Sequence, residues 1–170
     1  SKVYEWVDIK RNKEIIEDAN LRLLRSSSAA MPVATIEALE NVFQCPVIEA
    51  YGMTEASHQM ASNFLDSIRK AGSVGKSAGP EIAILKDYKL TNLANTVGEI
   101  VIKGTNVTKG YKNNEKANKE NFFNGWFKTG DLGKFDEDGF LFISGRIKEI
   151  INKGGEKISP LEVDEALMKH

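Results

Sequence analysis

The spacing of apolar residues changes twice along this chain. Leu21, Leu23 and Leu24 form a short apolar cluster that reads as a buried strand and runs into Arg25-Ser26-Ser27-Ser28-Ala29-Ala30, a turn of small residues. After Pro32, a residue suited to a first helical turn, Val33, Ile36, Leu39, Val42 and Phe43 fall on one helical face. Pro46-Val47-Ile48 reads as the end of a second buried strand, stopping at Gly52. Strand, helix, strand makes a parallel βαβ unit, and both of its turns open at the carboxyl ends of the strands, where open α/β sheets bind ligands. From Glu81 to Ser144 the pattern becomes one of short strands, Ile82–Lys86, Glu99–Lys103, Trp126–Lys128 and Phe140–Ile143, separated by Gly and Asn turns. Asn124-Gly125 between Phe122-Phe123 and Trp126-Phe127 is a hairpin signal. Ser159-Pro160-Leu161-Glu162 reads as a capping box with proline in the first turn of an amphipathic helix. Residues 2–20 are compatible with an amphipathic helix, residues 60–73 with a polar surface loop, and Asn113–Glu120 with a solvated helix. The fold class is therefore α/β with a mixed α+β character.

Composition narrows the function classes more than it defines one. The 170 residues are 41% hydrophobic and 28% charged, ordinary for a globular protein with a sizeable core. Lys and Arg total 23 against 24 Asp and Glu, so no bulk basicity argues for nucleic acid or an anionic membrane. Phosphate recognition, where present, has to be local. The single cysteine, Cys45, forms no internal disulfide, fits a reducing compartment and reads as a small core residue. No apolar run reaches the ~18 residues of a membrane span. These features favour a cytoplasmic location, with a peroxisomal one as the alternative.

Candidate chemistry gathers at Glu49-Ala50-Tyr51-Gly52-Met53-Thr54-Glu55. Gly52 allows a positive φ or a close ligand approach. Tyr51 offers a ring to stack on, Thr54 a hydroxyl for a phosphate oxygen, and Glu55 a hard oxygen ligand for Mg²⁺. On residues alone, a strand ending in Tyr-Gly is more often just a turn. Ser26, Ser27 and Ser28 are small and can donate to a carboxylate, but equally make a flexible loop. Asp131, after Thr129-Gly130, can accept two hydrogen bonds from a ribose diol, with Arg146 nearby; the bland alternative is a surface ion pair. Gly75-Lys76-Ser77 ends like a phosphate-binding Walker loop, but its first glycine would fall at Lys70, so the match fails. Asp136-Glu137-Asp138-Gly139 lacks calcium ligands at the required positions and reads as a tight turn.

Four blocks in sequence order carry a resemblance. They are Tyr51-Gly52-Met53-Thr54-Glu55, Gly98–Gly104, Trp126–Gly133, and Gly145-Arg146-Ile147-Lys148-Glu149 running on through Gly154–Pro160. Together they resemble the adenylate-forming superfamily of acyl-CoA synthetases, luciferases and peptide-synthetase adenylation domains. The resemblance covers roughly Leu21 to the end. It implies that residues 1–75 close the α/β part of a large domain, that 76–147 form a distorted antiparallel β-barrel, and that 148–170 are a hinge and the start of a small C-terminal α+β domain. It implies ATP or AMP, Mg²⁺ and CoA as cofactors or co-substrates of a ligase acting on a small-molecule carboxylate. By the same resemblance Thr54 contacts phosphate and Glu55 holds the metal. Tyr51, Gly52 and Met53 line the adenine, while Asp131 and Arg146 hold the ribose. Lys148 is the hinge residue, and Gly154, Gly155, Glu156 and Lys157 wall the CoA tunnel. Ser26, Ser27, Ser28 and His58, three residues after Glu55, most resemble the acyl site of oxalyl-CoA synthetase-type enzymes, which activate small dicarboxylates.

Two parts of such enzymes have no counterpart in these residues: an upstream phosphate loop and a downstream catalytic lysine. Both supply charge stabilisation that dominates adenylation, so the expectation is an inactive chain belonging to an active ligase. A non-catalytic nucleotide-binding or interaction module of the same descent is the alternative. Apolar faces left uncovered favour self-association.

Overall fold

The computed structural model describes residues 12–27, 31–154 and 156–167. Ser28 and Gly155, together with most of the expected helix before residue 12, lie outside the described residues. A short helix α1 (Lys13–Asp18) precedes strand β1 (Leu24–Ser26), helix α2 (Val33–Phe43) and strand β2 (Val47–Tyr51). Strands β1 and β2 pair in parallel, with Leu24 opposite Val47 and Ser26 opposite Glu49. The βαβ unit read from the sequence is present, but the first strand starts at Leu24 rather than Leu21. Residues 19–21 instead close tight backbone turns, Asn20 N to Asp18 O and Leu21 N to Ala19 O. On α2 the inward face is Ile36 and Leu39, packed on Val47 with Leu24, Met31 and Phe43 around them. Val33 stays 42% exposed. Pro32 stands just before the helix, and Gln44 ends it in the left-handed region at φ 50°.

Of the polar loop expected over residues 60–73, the part from 64 to 72 is mostly exposed turn and bend as expected, but residues 60–63 and Ser73 are buried. Strands β3 (Ala61–Ser62) and β4 (Lys76–Ser77) extend the first sheet in the order β1-β2-β3-β4, antiparallel from β2 onward. Met60 and Ala61 are completely buried, and Asn63 and Ser73 are buried as well. The polar composition of this stretch misled at its ends because polar groups there serve the interior. Asn63 Nδ2 donates to Ser73 O at 2.7 Å, and Ser73 Oγ donates to Lys70 O at 2.7 Å. Buried polar side chains survive only when partnered in this way.

The second sheet holds β5 (Glu81–Lys86), β6 (Lys89–Thr91), β7 (Gly98–Lys103), β9 (Trp126–Phe135) and β10 (Leu141–Arg146) in the order β10-β9-β7-β5-β6. A two-residue strand β8 (Phe122–Phe123) pairs with β9. All pairings are antiparallel. The turn Asn124-Gly125 has φ 49° and 82°, the doubly left-handed turn that matches strand twist. Helix α3 (Glu115–Asn121) is capped by the Asn114 side chain, which accepts from Ala117 N. Strand β9 runs ten residues, well past Lys128, and shifts register against β7 between Glu99 and Val101. Such bulges bend a sheet into a half-barrel. The described residues close with a hairpin of β11 (Ile151–Lys153) and β12 (Glu156–Ile158), followed by helix α4 (Pro160–Leu167).

One apolar cluster joins both sheets. Tyr51, Ala56, Met60 and Ala61 from the first pack with Ile84, Ile100, Ile102, Phe127 and Leu141 from the second. The backbone is knitted at the same place, for Leu141 N donates to Gly75 O and Val74 N donates to Leu141 O. The Asp136–Gly139 turn is as tight as expected, its Asp136 Oδ1 accepting from Asp138 N and Phe140 N. Lys70 spans from the first sheet's loop to Asp136 and Asp138, and with Lys76 it flanks the Phe140 ring at 4.9 and 4.8 Å.

Candidate active site

Asp131 sits in the middle of β9, directly opposite Arg146 on β10. Cross-strand register therefore places a carboxylate and a guanidinium together, 3.3 Å from Arg146 Nε to Asp131 Oδ1. Tyr51, at the end of β2, reaches in from the other sheet and donates from Oη to Asp131 Oδ2 at 2.5 Å. Three candidate residues separated by up to 95 positions thus meet at one point, where the first sheet abuts the half-barrel. Asp131 is 7% exposed and Tyr51 9%, whereas the Arg146 side chain is 67% exposed. Burial, with the adjacent carboxylate second, raises the Tyr51 phenol far above its ordinary value, so its hydroxyl remains a donor. A carboxylate offers about four lone-pair sites. Two are taken here, which leaves capacity for a diol arriving from the open, Arg146 side. The strand itself is shaped around this position: Gly130 has φ 76°, Thr129 Oγ1 accepts from Asp131 N, and Thr129 donates to Ile100 O.

The motif after β2 is a one-turn 3₁₀ helix over Thr54–Ala56 that folds back on Gly52. A Cβ on Gly52 would lie 1.5 Å from the carbonyl oxygen of His58. The glycine is thus required for close approach, as the sequence suggests, but the approaching group is the chain's own backbone and not a ligand. Thr54 is exposed and Glu55 half-buried. Glu55 Oε1 accepts from Tyr111 Oη at 2.9 Å, and Thr108 N donates to Glu55 O at 2.7 Å. Asn106 Nδ2 donates to Ala56 O, so this residue, which also heads a glycosylation-type triplet, is engaged in holding the turn. No group of three or more His, Cys, Asp or Glu able to hold a metal occurs among the described residues. A single accessible carboxylate suits Mg²⁺ arriving with phosphate oxygens and keeping its waters, and does not suit a site built from protein ligands alone.

Of the acyl-site candidates, Ser26 ends β1 and Ser27 follows it, both half-buried. Arg25 Nη2 donates to Gln59 Oε1 at 3.2 Å, tying β1 to the loop that carries exposed His58. Met53 packs at the edge of the shared core. Lys148 lies exposed in a 3₁₀ turn, Ile147–Glu149, directly after β10. Gly154 turns the β11–β12 hairpin at φ 61°, and Glu156 and Lys157 open β12. Gly145 has φ 141°, and a Cβ there would meet Ser159 Oγ at 2.4 Å, so the segment beyond the expected hinge packs against β10 at this glycine.

Residues missed by sequence reasoning are Tyr111, Asn118 and Glu49. Asn118 lies in the stretch Asn113–Glu120 that reads as a solvated helix, and Tyr111, just before it, belongs to no predicted element. Glu49 was visible in the motif but reads there as part of a run-up to Tyr51. It is 6% exposed, and its Oε2 accepts from Gly72 N at 2.8 Å. It lines a cavity of about 100 Å³ together with Ile36, Glu40, Asn63 and Arg69. Burial pushes its pKa up to about 7, with the Gly72 N–H pulling the other way. Because the folded value exceeds the unfolded one, the cost of burying Glu49 is absent below about pH 4.5, grows as pH rises toward 7, and is constant above that. Glu49→Gln keeps an acceptor for Gly72. It is expected to match the wild type at pH 4.5 and to exceed its stability by about 1–2 kcal/mol at pH 8, less than the full shift implies because the cavity admits water. Urea melts at the two pH values check this; a difference independent of pH would refute it.

Known proteins place this chain in a family. The profile of the AMP-binding enzyme family matches residues 6–112, more than half of the chain, and the chain belongs to that family. It is 54% identical over 156 residues to the oxalate–CoA ligase of Arabidopsis thaliana, an alignment covering 91% of this chain and 30% of that protein. To the oxalate–CoA ligase of Saccharomyces cerevisiae it is 53% identical over 154 residues, covering 89% and 28%. The 2-succinylbenzoate–CoA ligase of Bacillus licheniformis is 40% identical over 152 residues, covering 89% and 32%. Among solved structures, ATP-bound MatB from Rhodopseudomonas palustris superposes with a TM-score of 0.83 at 33% identity, covering 94% of this chain and 32% of that one. O-succinylbenzoate CoA synthetase from Bacillus subtilis, in complex with ATP and magnesium ion, gives 0.79 at 34% identity, covering 100% and 39%. The chain spans about 30% of the length of the curated ligases it matches. The half-barrel and partial βαβ unit are thus a fragment of the adenylate-forming fold, as the four sequence blocks imply. No helix among the described residues is long and apolar enough to cross a membrane.

Proposed function

We propose that these residues form the ribose side of the nucleotide site and the metal-binding turn of an ATP-dependent acyl-CoA ligase acting on a small dicarboxylate such as oxalate. The observation that carries this reading is the meeting of Tyr51, Asp131 and Arg146 at the junction of the two sheets. In that reading an oxygen of the substrate carboxylate attacks the α-phosphorus of ATP and pyrophosphate leaves. The CoA thiolate then attacks the acyl carbon, and AMP leaves. Asp131 accepts from the ribose diol, with Arg146 holding its charge in place; Tyr51 keeps the carboxylate oriented and presents its ring to adenine with Gly52 and Met53. Thr54 donates to phosphate oxygens. Glu55 would hold Mg²⁺, whose charge would offset that of the phosphates. Ser26, Ser27, Ser28 and His58 receive the acid, and a chain turning about Lys148 would bring Gly154, Gly155, Glu156 and Lys157 to the CoA tunnel. The oxalate assignment is supported by two relatives above 50% identity and by His58 beside the motif. The 170 residues alone are expected to release no pyrophosphate.

The test is calorimetric titration of this chain with AMP, beside Asp131→Asn, which retains an acceptor for Tyr51. Wild-type binding is expected to weaken at least about 10-fold in the variant, the scale of hydrogen bonds to a charged group. Equal affinity in both, or no wild-type binding, would overturn the assignment of a preformed ribose site.

A further inference from the structure

Glu55 is held from a distance. The hydroxyl that reaches its Oε1 belongs to Tyr111, 56 residues further along the chain. Tyr111 is itself clamped through its backbone: its N–H donates to Asn118 Oδ1 at 2.7 Å, and its carbonyl accepts from Asn118 Nδ2 at 3.0 Å. Both bonds come from one side chain on α3, so the helix that reads as solvated filler fixes this loop. Gly110, at φ 145°, lets the two come together, since a Cβ there would lie 3.1 Å from Asn118 Oδ1. The Tyr111 ring meets Phe127 edge-on at 6.4 Å, and Phe127 is a core residue only 2% exposed. The hydroxyl is therefore anchored to the half-barrel while the carboxylate it touches stands on the turn after β2.

We propose that Tyr111 is a positioning residue for Glu55: its hydroxyl takes Oε1, fixes the carboxylate's rotamer and leaves Oε2 to face a divalent cation carried in with ATP. The proposal rests on the reading of Glu55 as the magnesium ligand. A phenol is a better partner for this task than Lys or Arg, because a neutral donor orients the carboxylate without cancelling the charge the cation needs. Hydrogen bonds to ligating carboxylates do this in metal sites generally, and losing one weakens metal affinity by about 10–100-fold. Among the described residues no donor reaches Oε2.

The experiment uses the complete ligase with Tyr111→Phe, Asn118→Ala and, as control, Glu55→Gln. Mn²⁺ affinity of the ATP complex is read from the free-ion electron paramagnetic resonance signal, and AMP affinity is read separately in EDTA. Tyr111→Phe is expected to weaken Mn²⁺ about 10-fold, toward the Glu55→Gln value, with AMP affinity in EDTA unchanged within about two-fold. Asn118→Ala, which frees the tyrosine but keeps its hydroxyl, should show a smaller loss of the same sign. Wild-type Mn²⁺ affinity in Tyr111→Phe, beside a Glu55→Gln control that has lost it, overturns the proposal. Parallel loss of AMP and Mn²⁺ affinity in Tyr111→Phe would make the tyrosine a general prop for the fold and also overturns it. A Glu55→Gln control that binds Mn²⁺ like the wild type removes the metal assignment itself, a failure of the underlying reading that is distinct from the other two.

Discussion

Gly52→Ala is expected to destabilise the chain by about 3 kcal/mol or more, because the new methyl would occupy the position of the His58 carbonyl. The clash is with backbone, and that backbone has little freedom to retreat. His58 N is bonded to Met53 O at 3.0 Å, and Ser57 N to Thr54 O at 3.2 Å. Ser57 and His58 already sit at φ 52° and 82°, left-handed conformations that cost a non-glycine residue roughly 1–2 kcal/mol each. A loop holding that much strain is retained only where its surroundings over-determine it. Relief by moving residues 57–58 would drag Thr54 and Glu55 with them, so the variant should lose nucleotide affinity as well as stability. Urea denaturation and AMP titration check the two effects. A stability within about 0.5 kcal/mol of wild type, the range of an ordinary surface substitution, would show that the loop yields and that Gly52 serves some other purpose.

Leu141→Ala is the second large effect, expected to cost about 2–5 kcal/mol as a fully buried leucine cut to a methyl. Its interest lies in where the loss is felt. Leu141 packs with Tyr51, Met60 and Ala61 of the first sheet and with Ile100 and Phe127 of the second, and its backbone bonds to Val74 and Gly75 join them. A cavity there weakens both sheets at once. With Trp6 replaced by Phe so that Trp126, on β9, is the sole tryptophan, its fluorescence and far-ultraviolet circular dichroism should shift to lower urea together and remain coincident, as in a single cooperative transition. Separation of the two curves, with only the Trp126 signal shifted, would show that the sheets unfold independently despite the shared cluster.

The same junction leads us to expect that stability and nucleotide binding are coupled in this chain. Tyr51 is at once a core residue and the donor to Asp131. Substitutions that loosen the packing between the sheets therefore alter the distance between the turn after β2 and the β9–β10 pair. Lys70, reaching Asp136 and Asp138 across the boundary, acts in the same sense.

Much of this was legible in the sequence, and for local reasons. Helical spacing from Val33 to Phe43 named the face that Ile36 and Leu39 bury. Asn124-Gly125 specified its hairpin through backbone conformations that few other residue pairs adopt. The four blocks carried the family, because each block is short and continuous, and they offered Tyr51, Thr54, Glu55, Asp131 and Arg146 as candidates. Legibility failed where a residue's role depends on a partner far along the chain. The stretch 60–73 reads as surface loop by composition, which holds for residues 64–72, yet Met60, Asn63 and Ser73 at its ends are interior because β3 and β4 close the sheet there. Tyr111 carries no local mark of its tie to Glu55, and Asn118 none of its grip on Tyr111. What the sequence determined by itself was the kind of element at each position and the chemical groups available, since propensity, turn chemistry and motif spacing are properties of neighbours. What only the tertiary structure decided was which groups face one another. The Asp131–Arg146 pair follows from strand register, the Tyr51–Asp131 bond from the joining of two sheets, and the raised Glu49 carboxyl from burial; each depends on contacts that a linear pattern does not encode.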